Sequence, residues 1–201
     1  MTLGTTTHPV TVAETRRRSL RLLVTVLSLW GLMYAGYRAY YAFGGTVGMI
    51  GTPVSEADFR AVNAFGAVVI LVAGVLPWLI LRWTWLRRIT PVLGWIVAVG
   101  CTMHALVDWI LRVLSLTGVH PTMLPAEVWA SYDRRTADLQ DVFLNEPWFL
   151  VEGLLWAALA LMLVSPGVRR PWVVSAVVAV VVLTTLGVLS GLDKIGSFTV
   201  G

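Results

Sequence analysis

Apolar residues gather into five stretches, 19–43, 61–81, 91–114, 147–164 and 172–192. Each is long enough for a helix to cross the roughly 30 Å of hydrocarbon in a bilayer. A backbone in hydrocarbon has to satisfy its own hydrogen bonds, so each stretch is expected to be helical. The fold class that follows is all-α, an integral membrane bundle of five transmembrane helices. Composition agrees, because 57% of the 201 residues are hydrophobic and only 13% are charged. A soluble domain of that make-up would carry far too much apolar surface. Five crossings use nearly the whole chain, so a single transmembrane domain over 19–192 is expected, after a disordered polar tail at 1–18 and before a short tail at 193–201.

Arginines fix the expected orientation. Arg16, Arg17, Arg18 and Arg21 precede the first stretch, Arg82, Arg87 and Arg88 follow the second, and Arg169 and Arg170 separate the fourth from the fifth. Positive connections stay in the cytoplasm, which puts the N-terminus in and the C-terminus out. Trp78, Trp83 and Trp85 supply an aromatic belt at the same level. The net charge of +4 is thus a matter of membrane topology, and no nucleic-acid partner is expected. The arginine triplet followed by Leu20 resembles the start of a signal peptide, but the apolar run continues to about Phe43 without a small-residue cleavage site, so an uncleaved helix is expected. The single cysteine, Cys101, excludes an intrachain disulfide.

The outer connections are expected at 44–60 and 115–146. Pro91 and Pro147 are read as opening the third and fourth helices, since a proline in a first turn forfeits no hydrogen bond. Residues 126–143 suggest an amphipathic helix lying across the outer mouth, with Val128, Tyr132 and Leu139 on one side. The fifth helix is plain, rich in valine and leucine, and is expected to pack peripherally.

Ionisable side chains inside these stretches are costly and mark an interior, a wet cavity or one another. His104, Asp108 and Arg112 stand four apart and therefore share a helix face. By topology Arg38 and Glu152 occupy the same outer half. Asp108, Glu152 and His104 are the catalytic candidates, as groups able to hold or pass a proton. Arg38, Arg112, Tyr41, Asn63 and Trp109 are the candidate ligand-binding lining. The same residues also suit a plain structural role: arginines snorkelling to headgroups, a buried ion pair, and a histidine hydrogen-bonded between helices.

No metal and no cofactor is expected. His8 lies in the tail, His120 in a loop and His104 deep, so no two histidines have ligand spacing. Gly44-Gly45-Thr46 lacks the strand and lysine of a nucleotide loop and reads as a tight exit from the first helix.

Two segments, Tyr37-Arg38-Ala39-Tyr40-Tyr41-Ala42-Phe43-Gly44-Gly45-Thr46 and Glu146-Pro147-Trp148-Phe149-Leu150-Val151-Glu152-Gly153-Leu154-Leu155, resemble a family of small multi-helix membrane proteins common in actinobacteria. In that family the first helix ends in a histidine, two residues, a tryptophan, an alanine, any residue and two glycines. Here Arg38 stands at the histidine position and Tyr41 at the tryptophan position. The resemblance implies a multi-pass protein of a bacterial cytoplasmic membrane and supplies no activity. A fainter likeness, through Trp129, Tyr132, Asp133, Arg134 and the acids Glu146 or Glu152 before Gly153-Leu154, is to the sterol isomerase and sigma-two receptor group, which implies buried carboxylates in an apolar ligand cavity.

Membrane lipids are the expected surroundings. The reading placed first is a structural or accessory subunit with a membrane protein partner. The alternative is a membrane-embedded binding protein or enzyme of isomerase or cyclase type, moving protons on a small lipophilic molecule in an outward-facing cavity. A small transporter or oligomeric channel stands third, against an odd helix count and no visible repeat.

Overall fold

The computed structural model describes residues 12–122 and 124–196. Helix α1 runs Val12–Ala42, strand β1 Gly51–Pro53, α2 Glu56–Arg82, α3 Thr84–Leu116, strand β2 Trp129–Tyr132, α4 Arg134–Gln140, α5 Glu146–Leu163 and α6 Arg169–Gly191. Among the described residues five helices are long and apolar enough to cross a membrane, with α4 and α5 counted as one. The bundle is all-α apart from one short antiparallel sheet.

Packing orders the helices. The α1–α2 and α3–α5 pairs make the broadest contacts, α5 joins the pairs by touching α1, and α6 leans on α3. Close approach depends on missing side chains: a Cβ on Gly94 would stand 2.7 Å from the Cβ of Ala160, and one on Gly31 would stand 3.0 Å from the Cα of Gly74. Such contacts hold helices together where lipid removes most of the hydrophobic incentive. No residue of α6 is buried, as expected of a peripheral helix.

Several boundaries differ from the sequence reading. Residues 12–18 of the expected tail are already helical, and residues 1–11 lie outside the described residues. Helix α2 begins at Glu56 behind an N-cap at Ser55, whose hydroxyl accepts from the Asp58 amide. Only Trp83, in extended backbone, separates α2 from α3, so Pro91 sits inside α3 and does not open it. Long spanning helices tolerate such a proline because neighbours recover the freed groups. Separately, Trp172 Nε1 donates to the Pro91 carbonyl at 2.8 Å, which ties α6 to this turn of α3.

The fourth crossing departs most. It starts at Arg134, after an N-cap at Asp133, and continues unbroken to Leu163, so Pro147 does not open it and no helix over 126–143 lies across the mouth. Pro147 is accommodated because residues Asp141–Asn145 form a π-helical turn, in which the Glu146 amide reaches back five residues to the Asp141 carbonyl. Proline has no amide to donate, and its ring crowds the carbonyl four residues earlier. A π-turn just before it relieves both demands. The insertion also shifts register: in an uninterrupted helix Asn145 would lie above Asp138, two turns on, whereas the extra residue brings Glu146 there instead.

Residues 126–132 form a turn and strand β2. It pairs with β1 through Gly51 against Tyr132 and Thr52 against Ser131. A Cβ on Gly51 would fall 2.0 Å from the Ser131 carbonyl oxygen, so only glycine fits there. The sheet clips the two connections at the end of the bundle away from the arginine clusters, called the sheet end below.

Candidate functional site

The sheet half of the bundle holds a polar network built on α3. His104, Asp108 and Arg112 share one face of that helix, as their spacing predicts, and the α4–π–α5 helix lays acids along it. Arg112 Nη1 meets Asp138 Oδ1 at 3.3 Å, and Nη2 meets Asp141 Oδ2 at 2.7 Å. Ser115 Oγ donates to the other Asp138 oxygen at 2.5 Å. Asp138 is 1% exposed. A charge so far out of water persists only when its partners are in place.

Below this clamp, the Nε2 of His104 lies 3.5 Å from Asp108 Oδ2 and 3.8 Å from Glu146 Oε2. The three ligand-capable atoms fall within 4.8 Å of one another. Both separations exceed normal hydrogen-bond lengths. Glu146 is 2% exposed, and its Oε2 has no hydrogen-bond partner. The His104 side chain, by contrast, is 47% exposed, with one side against the Phe149 ring edge-on at 4.6 Å. The cluster therefore has a buried carboxylate floor and an imidazole open to the bundle surface.

An aromatic ladder fixes this floor to α1. Trp30 and Trp148 stack at 4.1 Å, Tyr34 lies 5.3 Å from Trp148 and 5.6 Å from Phe149, and Trp30 Nε1 donates to the Trp148 carbonyl. Beside the ladder, Tyr37, Arg38, Tyr41, Asn63, Gln140, Asp141 and Trp129 line a cleft of about 110 Å³. That is room for roughly three or four waters at ~30 Å³ each.

The candidate residues divide accordingly. His104 and Asp108 come together, with Glu146, which is absent from the spacing-based candidates, as the third. Arg112 is absorbed by Asp138 and Asp141. Arg38 pairs with no described acid within 4 Å: its Nη1 donates to Asn63 Oδ1 at 3.0 Å while Asn63 Nδ2 donates to the Phe59 carbonyl at 2.8 Å. Tyr41 donates to the Val47 carbonyl at 3.1 Å, and Trp109 Nε1 donates to Val142 at 2.8 Å, tying α3 to the π-turn. Glu152, expected to answer Arg38 or Arg112, instead accepts from Trp156 Nε1 at 2.8 Å, one turn along its own helix. It stands apart from the cluster because it follows Glu146 by six residues on the same helix, which turns it about 240° away from the face that Glu146 presents.

Asp138, Asp141 and Glu146 fall inside the outer connection expected over 115–146, and only the fainter likeness brings in Glu146 as an acid. The available signal is Pro147, which a helix accommodates in its interior when a π-turn precedes it.

No family model, curated protein or solved structure matches the chain. Fold and composition define the class on their own: a multi-pass integral membrane protein with a histidine–carboxylate cluster inside its helical bundle.

Proposed function

We propose that this protein is a membrane-embedded binding protein or enzyme for a small lipophilic molecule, which meets His104, Asp108 and Glu146. The observation that carries the reading is the combination of a 2% exposed, unpartnered carboxylate oxygen on Glu146 with a 47% exposed imidazole 3.8 Å from it. Groups kept only to hold helices together would close to hydrogen-bond length, as Arg112 does with Asp141. His104 stops short of both carboxylates and keeps an open face.

The cleft beside Arg38 is too small for a whole lipid. A lipophilic molecule would therefore lie along the bundle surface with its polar end at His104. On the orientation the arginines imply, that is the outer half of the membrane. An imidazole between two carboxylates suits proton transfer, as in isomerisation or cyclisation, because it donates at one position while the carboxylates accept at another.

The test is mass analysis of small molecules that stay with protein extracted in its native lipids, comparing the wild type with His104→Gln. A stoichiometric lipophilic molecule in the wild type, lost from the variant at unchanged thermal stability, is the expected result. Nothing retained, or equal retention by both, would sink the reading and return the protein to the accessory-subunit role.

A further inference from the structure

The cluster's distances carry a second message. An N–H···O contact is about 2.9 Å, whereas two ligands at about 2.0–2.1 Å from one tetrahedral cation stand about 3.4 Å apart. His104 Nε2 is 3.5 Å from Asp108 Oδ2 and 3.8 Å from Glu146 Oε2, nearer the second figure than the first. From these separations and the unpartnered Glu146 oxygen aimed into the cluster, we infer that His104, Asp108 and Glu146 bind one divalent transition-metal cation.

Three further features support it. Two of the ligands stand four apart on α3, so one helix face presents both without strain, and the third comes from the facing helix, placed there by the π-turn. Charge favours a cation: Asp108, Glu146, Asp138 and Asp141 gather around Arg112, the one arginine paired among them, and Asp138 and Asp141 already neutralise that arginine. A bound cation would discharge the excess in a medium where uncompensated carboxylates are expensive. Three protein ligands with an exposed imidazole edge also leave a coordination position open, as in catalytic rather than structural sites. One nitrogen and two oxygen donors suit zinc, manganese or ferrous iron more than a soft, sulfur-seeking ion.

The inference rests on the proposed lipophilic-molecule site and changes its chemistry: with Nε2 held by a cation, His104 would no longer pass a proton at that atom, and the open position would instead polarise an oxygen at the polar end of the bound molecule. The experiment uses the full chain, free of any histidine tag, in detergent. Metal content is measured after incubation with Zn²⁺ and removal of free ion. Co²⁺ then serves as a visible-absorbance probe, with the wild type compared with Glu146→Gln and His104→Gln. One tightly held ion per chain is expected in the wild type, with at least about a tenfold weaker Co²⁺ affinity in Glu146→Gln, whose folding is checked by its thermal unfolding curve. A wild type that holds no ion, or a folded Glu146→Gln that holds Co²⁺ as tightly as the wild type, would overturn the inference, leaving a shared proton as the way the carboxylates are discharged. The two readings fail separately. Retention of a lipophilic molecule that depends on His104 without metal leaves only the proposed function standing, and a stoichiometric ion in a protein that retains no such molecule leaves only the metal site.

Discussion

Arg87 and Arg16 in one half of the bundle and Arg112 in the other are answered in opposite ways. In the half bearing the arginine clusters, Arg87 donates to the Ile80 and Leu81 carbonyls, and Arg16 donates to the Met162 carbonyl at 2.8 Å. These acceptors are the last turns of α2 and α5, where carbonyls lack intrahelical partners and the helix dipole is negative. No acid is needed, and beneath them lies a dry core of Val24, Leu27, Ile80, Leu86, Trp156 and Leu159. In the sheet half, Arg112 is answered by two carboxylates, one of them buried, with further acids beyond. The first arrangement is inexpensive and anchors the bundle. The second spends stability on charge, which is common where a site is being held.

The largest expected effect breaks the second arrangement. Arg112→Ala removes the partner of Asp138 and Asp141 together and should cost about 3–5 kcal/mol, the range for orphaning a buried charge. Unfolding in detergent titrations reads it. Adding Asp138→Asn to the variant should recover part of the loss, because the stranded charge goes with it. No recovery would mean that Arg112 acts through packing alone.

Trp156→Ala tests the other half. The side chain is 1% exposed in the dry core and caps Glu152 from one turn away. Truncation should cost about 3 kcal/mol, the low end of the aqueous range, since lipid outside the bundle is as apolar as the core within. An effect exceeding that of Arg112→Ala would reverse the comparison and place the stability of the bundle in its apolar half.

A smaller change probes the dipole argument. Arg87→Gln keeps a donor but removes the charge beside the end of α2, and a loss of about 1 kcal/mol is expected, shrinking as salt is raised. A salt-independent loss would show that the charge at this helix end is not what matters.

The sequence made the arginine half legible and much of the sheet half opaque. Five apolar stretches and three arginine clusters are local signals, and they led directly to five spanning helices. The shared face of His104, Asp108 and Arg112 was equally legible because helical spacing alone creates it. What was hidden depends on one backbone irregularity. Read as a helix start, Pro147 consigns Asp138, Asp141 and Glu146 to a loop and promotes Glu152. Read as the proline after a π-turn, it reverses those assignments. The β1–β2 pair was invisible for a related reason, since three- and four-residue strands carry no periodicity and depend on tertiary pairing.

The smallest expected effect lies at the start of that irregular helix. Asp133 is the N-cap of α4, accepting from the Thr136 amide at 2.8 Å. That backbone hydrogen bond holds its carboxyl below the usual aspartate range of about 3.8. A carboxyl whose pKa is depressed by folding stabilises the folded state above its unfolded value and loses that contribution as pH falls through the folded one. Protection of the Thr136 amide from hydrogen exchange should therefore drop in acid, below about pH 4, while pH 5–8 leaves it unchanged. Asp133→Asn keeps an effective cap without a titrating group, so the variant should stay protected at neutral pH and lose the acid step. If the step persists in Asp133→Asn, the acid sensitivity arises deeper in the helix, among Asp138, Asp141 and Glu146, and the irregular helix opens from its charged face rather than from its cap.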